Sequence, residues 1–213
     1  MIRIALVDDQ PLFRGGIAMI VESQSDMIVV AQESSAIGLA GVAATTRPDI
    51  VLMDVRMPGI DGITATGDLL AELGDAAPKV LVLTTFDTDE AAASAIAAGA
   101  SGFVLKDAQP EFLLAAIRAV CDGSQVVAAS ATRRLFETHR PRAGEPGPEY
   151  QQLTPREREI LLRAARGLSN AEIAAAEVLS EATVKTHISR ILTKLALRDR
   201  VQLVVYAYDH GLV

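Results

Sequence analysis

The sequence predicts an α/β doubly wound domain, a five-stranded parallel sheet with helices on both faces, followed by a small all-α domain of four helices. Three observations carry this. Five short runs rich in Val, Ile and Leu recur through residues 1–123, separated by Ala-rich segments of 12–20 residues. Near-continuous apolar strands alternating with helices belong to a parallel sheet covered on both faces. Second, RPRAGEPGPEY (140–150) packs Pro and Gly densely enough to read as a linker without regular structure. Third, residues 151–213 carry repeated helix-start signals and no convincing strand.

In order, the strands are IRIALVD from residue 2, MIVVAQ from 27, DIVLMD (49–54), KVLVLT (79–84) and GFVLKD (102–107). The first and fifth helices fall near 11–23 and 110–122. The first carries Gly15-Gly16, each costing about 0.5–1 kcal/mol relative to Ala in a helix interior; this leaves the helix loose, or open to close approach by a partner helix. Residues 124–139 are expected to hold a short helix. Thr154-Pro155-Arg156-Glu157 is a capping box with Pro at the first helical position, opening a helix over 154–166 that stops at Gly167. Ser169 to Glu172 is a second capping box, opening a helix to about 177. Ser180 is the expected N-cap of a third helix, 181–195, and a fourth runs from about 198 to 209 and ends at Gly211. The expected domains are therefore 1–123 and 151–213, joined by a linker at 124–150.

Charge divides the chain in the same way. Residues 1–123 hold 7 Lys and Arg against 17 Asp and Glu, a net −10, whereas 151–213 hold 9 against 7, a net +2. An acidic module followed by a mildly basic one implies different partners for the two, so the overall −7 does not argue against DNA binding. No apolar stretch approaches the roughly 18 residues that a spanning helix needs. The first residues, MIRIALVDD, run into a strand pattern rather than a secretory signal, so a cytoplasmic protein without membrane association is expected. The single cysteine, Cys121, cannot form an internal disulfide and reads as packing rather than as a nucleophile.

In doubly wound folds the ligand site lies at the carboxyl ends of the strands. Asp8, Asp9, Asp54, Thr84 and Lys106 all fall there. A carboxylate is a poor nucleophile toward an anionic phosphoryl donor, so phosphoryl uptake needs a cation, an ammonium and a further donor. Mg²⁺ suits the first role. Asp8 and Asp9 would supply metal ligands, Asp54 the acceptor, Lys106 the ammonium and Thr84 the hydroxyl. Without a metal the crowded carboxylates repel one another.

With the Asp pair, the Asp of LMDVRMPGIDG, the Thr of LTTFD and the Lys of SGFVLKD in this order, residues 1–123 resemble the flavodoxin-like receiver domain of two-component response regulators. The resemblance implies that Asp54 accepts phosphate from a sensor histidine kinase. It further implies that Asp9 ligates Mg²⁺ directly, Asp8 more through water, and Arg56 through its backbone carbonyl. Thr84 and Phe103 would form a switch pair, the aromatic rotating into space that the Thr84 hydroxyl vacates. Many receivers follow the Lys with Pro; here Asp107 follows, so that bond is held differently or is a cis non-Pro bond.

In the third helix of the last domain, Val184, Ile188, Ile191, Leu192 and Leu195 recur at helical spacing and should pack inward. Thr186, Ser189, Arg190 and Thr193 lie opposite, flanked by Lys185 and Lys194. A short polar and basic helix on a compact scaffold fits a major groove, and Ser180 and Thr183 near its start suit phosphate contacts. LTPREREILLRAARGLSNAEIA…LSEATVKTHISRILTKL resembles the LuxR-type helix-turn-helix, and the whole chain a response regulator of the NarL/FixJ subfamily. That resemblance implies promoter-DNA binding as a homodimer formed on phosphorylation. Lys185 and Thr186 would read bases with His187 or Ser189 beside them, and Arg190 and Lys194 would contact phosphates. The fourth helix, with Val201, Val204 and Val205, would pack between two DNA-bound copies. Glu177 departs from the family, which commonly carries a large apolar residue there; if buried it needs a partner. An aspartyl-phosphate phosphohydrolase is the competing reading. Such enzymes usually place a second carboxylate two residues after the nucleophile, where this chain has Arg56. The chain is therefore expected to catalyse only its own phosphoryl transfer and dephosphorylation.

Overall fold

The computed structural model describes residues 1–85, 89–122 and 147–213, with only the backbone described for 89–91. The chain divides into two compact units, Met1–Asp122 and Gly123–Val213. The expected short helix within 124–139 lies outside the described residues.

The first unit holds β1 (Ile2–Val7), α1 (Pro11–Glu22), β2 (Met27–Glu33), α2 (Leu39–Thr46), β3 (Ile50–Asp54), α3 (Gly62–Leu73), a 3₁₀ turn (Gly74–Ala76), β4 (Lys79–Thr84), α4 (Asp89–Ala97), β5 (Gly102–Leu105) and α5 (Pro110–Cys121). All five strands are parallel, in the order β2-β1-β3-β4-β5. The expected α/β doubly wound five-stranded sheet is what forms. Every residue of β3 is buried, as the covered centre of such a sheet requires. The order reverses between β1 and β3, which opens the crevice where ligands bind.

Local chemistry fixes the helices beside that crevice. Pro11 and Pro110 occupy first-turn positions of α1 and α5, where a missing N–H costs nothing. Asp61 caps α3, its Oδ1 accepting from Ile63 N (3.0 Å) and Thr64 N (2.9 Å). Those donors hold the Asp61 carboxyl below its ordinary pKa. Gly15 and Gly16 have space around them; a Cβ at either would meet nothing within 4 Å.

The second unit holds α6 (Pro148–Gln151), α7 (Pro155–Ala165), α8 (Asn170–Glu177), α9 (Glu181–Lys194) and α10 (Arg200–Asp209) among the described residues. The two capping boxes form as the sequence predicts, with both reciprocal bonds present, and Ser180 caps α9. Two details differ from expectation. RPRAGEPGPEY is not free of regular structure at its end, because Pro148 starts α6 and Tyr150 packs against the core of this unit. The last helix begins at Arg200, where Asp199 Oδ1 accepts from Gln202 N at 3.1 Å and sets the start. The core gathers Leu153, Ile160, Leu161, Ile173, Val184, Ile188, Ile191 and Leu203.

Candidate functional site

At the crevice, β1 runs directly into Asp8 and Asp9, β3 ends on Asp54, β4 ends on Thr84 and β5 runs into Lys106. Lys106 Nζ lies 2.7 Å from Asp8 Oδ2 and 2.9 Å from Asp54 Oδ2, and all three side chains are under 8% exposed. One carboxylate oxygen from each of Asp8, Asp9 and Asp54 falls within 4.8 Å of the others. Asp54 Oδ1 accepts from Arg56 N at 3.3 Å, and Asp8 Oδ1 from Gln10 N at 2.8 Å.

The electrostatics follow from burial. Loss of water raises the Asp54 carboxyl above its ordinary pKa; Lys106 pulls it back and Asp8 adds to the rise. Burial alone would weaken the Lys106 ammonium, but its hydrogen bonds to Asp54 and Asp8 hold its pKa above the ordinary value. Lys106 pairs with two of the three carboxylates, and Asp9 Oδ1 is buried with no hydrogen-bond partner. That unspent oxygen, with hard oxygen donors around it, fits a divalent cation such as Mg²⁺.

Thr84 is buried at the end of β4, and its carbonyl accepts from Lys106 N at 2.7 Å. Phe103, 6% exposed, sits on β5 opposite Val82. The Lys106–Asp107 bond is trans, like every described peptide bond. Gly62 stands where α3 leaves the site. A Cβ there would lie 1.9 Å from the Asp54 carbonyl oxygen, a contact that only glycine permits.

In the second unit, Val184, Ile188, Ile191 and Leu195 are buried and Leu192 partly so, as the spacing predicts. Ser180, Lys185, Thr186, Ser189 and Arg190 are exposed; Thr183 and His187 are half-buried. Ser180 Oγ accepts from Thr183 N at 3.1 Å, and the two hydroxyls meet at 2.8 Å. Lys194, an expected phosphate contact, has protein partners in this structure. Its Nζ donates to Glu157 Oε2 at 2.7 Å and to the Gln152 carbonyl at 3.1 Å, so its charge is directed into the scaffold. Glu177 finds the partners its position demands: Arg156 and Arg163 both pair with its carboxylate, and Arg156 also reaches its carbonyl at 2.9 Å. Val201 and Val204 are buried and Val205 half-buried.

Three features were missed by sequence reasoning. The ring of Phe13 lies 4.5 Å from Lys106 Nζ. Arg200 is 2% exposed, hydrogen-bonded to Asn170 Oδ1 at 2.6 Å and to the Leu168 carbonyl, and burial lowers its pKa to about 10. Glu157 is not only a capping residue but also the buried partner of Lys194. For the last, the Thr-x-x-Glu box was the available signal; no local pattern marks the other two.

Residues 4–118 match the family described as response regulator receiver domain. Residues 151–207 match the bacterial regulatory proteins of the luxR family. The chain is 42% identical to the transcriptional regulatory protein YxjL of Bacillus subtilis, covering 100% of this chain and 97% of that protein. It is 38% identical to the transcriptional regulatory protein LiaR of the same organism, with both covered in full. The crystal structure of ChrA, a response regulator in a heme-sensing two-component system, is 39% identical, covers 100% of this chain and 98% of its own, and superposes with a TM-score of 0.53. No helix among the described residues is long and apolar enough to cross a membrane. An acidic crevice closed by a lysine, joined to a second unit with a capped, partly basic helix on its surface, together with these matches, places the chain among the two-component response regulators of the NarL/FixJ type, a receiver domain followed by a LuxR-type DNA-binding domain.

Proposed function

We propose that Asp54 is phosphorylated by a sensor histidine kinase and that this promotes homodimerisation and sequence-specific promoter binding in the cytoplasm. The observation that carries the reading is the ion-paired cluster of Lys106 with Asp8 and Asp54 at the sheet edge. An Asp54 carboxylate oxygen forms the new bond to phosphorus. The bond from phosphorus to the donor histidine nitrogen breaks, and its electron pair returns to the imidazole. Lys106 donates an N–H to a phosphoryl oxygen in exchange for part of its carboxylate pairing, and the Thr84 hydroxyl donates to another. Mg²⁺ would be held by Asp8, Asp9, Asp54 and the Arg56 carbonyl, and supplies the positive charge that lets two anions meet. Thr84 and Phe103 act as the switch pair. No second carboxylate follows Asp54 at the position that Arg56 occupies, so turnover is confined to the protein's own phosphoryl transfer and dephosphorylation.

In the output domain (151–213, extended by the packed Tyr150), Lys185 and Thr186 read base edges beside His187 or Ser189. Arg190, Lys194, Ser180 and Thr183 contact phosphates. With a domain charge of only +2, each monomer binds modestly and specificity depends on the dimer. The test is light scattering of the purified protein with Mg²⁺, with and without acetyl phosphate or beryllofluoride. The expected result is a monomer-to-dimer shift that is lost in Asp54→Asn. A phosphodonor-dependent shift that survives in Asp54→Asn would remove Asp54 from its assigned role.

A further inference from the structure

We infer that Phe13 is a positioning residue for Lys106, and that through this ammonium its ring sets the rate of phosphoryl acceptance; the inference rests on Asp54 being the acceptor. Lys106 Nζ carries three N–H groups and is ion-paired with Asp8 and Asp54. The Phe13 ring centroid stands 4.5 Å from the same nitrogen. A cation is drawn to the negative face of an aromatic ring, the more strongly where water is excluded, and the Lys106 side chain is only 7% exposed.

The ring is itself held in place. Asp8 Oδ1 accepts from Gln10 N at 2.8 Å, and the Asp8 carbonyl accepts from the Arg14 guanidinium. Those two bonds fasten the first turn of α1 to the end of β1 on either side of Phe13. The residue that offers a carboxylate to Lys106 therefore also fixes the helix that offers it a ring. Phe13 and Lys106 also line one groove of about 230 Å³, with Leu12, Ile17, Leu105 and Leu113 among its walls. An ordinary groove residue would contribute volume alone; a ring fixed against an ammonium confines that ammonium to the acceptor side.

During transfer from acetyl phosphate, an Asp54 oxygen bonds to phosphorus and the bond from phosphorus to the acetyl oxygen breaks, its electron pair leaving on acetate. No proton changes hands, and Lys106 stays an ammonium whose placement alone matters. Placement by a partner that is lost on mutation changes rate without changing chemistry.

The experiment follows phosphorylation of the full-length protein by acetyl phosphate with Mg²⁺, read by intact mass, in wild type, Phe13→Leu and Phe13→Tyr. Phe13→Leu keeps an apolar side chain of similar bulk and removes the ring; Phe13→Tyr keeps it. The expected result is a rate about three- to tenfold lower in Phe13→Leu and within about twofold of wild type in Phe13→Tyr. A metal-free readout accompanies it: the Lys106 Cε protons, shifted upfield by the ring current in wild type and Phe13→Tyr, return to ordinary lysine positions in Phe13→Leu. Equal rates in Phe13→Leu and wild type overturn the inference and leave the acceptor reading standing. Equal slowing in Phe13→Leu and Phe13→Tyr also overturns it, since packing rather than the ring would then matter. Wild type that takes up no phosphate overturns the acceptor reading and the inference with it.

Discussion

Replacing Gly62 with alanine should disturb Asp54, the proposed acceptor, without touching any charged group. The added Cβ would stand 1.9 Å from the Asp54 carbonyl oxygen, 2.8 Å from the Asp54 carbonyl carbon and 2.9 Å from Met53 Cγ. Relief requires a movement of more than about 1 Å, since non-bonded carbon atoms sit comfortably at roughly 3.5–4.0 Å. Neither side yields readily. Gly62 N is bonded to the Val55 carbonyl at 2.9 Å, Asp61 grips the next two N–H groups, and β3 is buried along its length. Overpacking of this kind costs about 1–3 kcal/mol. For a domain of this size that amounts to roughly 4–12 °C in Tm. The assay is thermal unfolding of the full-length protein, following the receiver transition, alongside the rate of phosphorylation by acetyl phosphate. Both should fall in Gly62→Ala. Gly67→Ala is the control: it lies within the same helix, a Cβ there meets nothing within 4 Å, and it should stabilise by about 0.5–1 kcal/mol. A Gly62→Ala transition within about 1 °C of wild type with an unchanged rate would refute the clash argument.

Two further outcomes follow from the output domain. Glu157 is held below its ordinary carboxyl pKa: burial opposes this, but the Lys194 ammonium and the Thr154 donors prevail. A depressed carboxyl stabilises fully above its unfolded value of 4.5 and progressively less as pH falls through the folded value. The acid limb of the stability profile should therefore flatten in Glu157→Gln, with a loss of about 1–2 kcal/mol at neutral pH; urea unfolding between about pH 3 and 7 reads both. Val178, at φ 54° and ψ 47°, is a β-branched residue in the left-handed region and is 92% exposed. Val178→Gly should stabilise by about 0.5–1 kcal/mol, strain relief outweighing the entropy of glycine; a lower urea midpoint would contradict this.

The strands were legible because each is a local run of branched apolar residues, and the acidic crevice because its members sit at the ends of those runs. Asp54 and Lys106 are 52 positions apart in sequence, yet knowing where two parallel strands end was enough to bring them together. The protein partners of Lys194 were not legible, for the opposite reason. Helical spacing gives the side of α9 on which it emerges, but its long side chain reaches a carboxylate 37 residues away. Arg200 gave no warning either: an arginine beside Asp199 reads as a surface pair, whereas the fold buries it against the turn before α8. Glu177 was recognised as out of place; its two arginines lie 14 and 21 residues upstream, beyond any periodicity.

The contact between Lys194 and Glu157 has a bearing on protein engineering. It fastens the carboxyl end of α9 to the first turn of α7 and, through the Gln152 carbonyl, to the segment before it. A graft that carries only residues 181–194 onto a foreign scaffold would transfer the proposed base-reading side chains without the fixture that sets their pitch. The transplantable cassette is the helix together with Gln152 and the Thr154–Glu157 box. Chimeras cut at those boundaries should keep the donor's sequence preference where shorter swaps lose it.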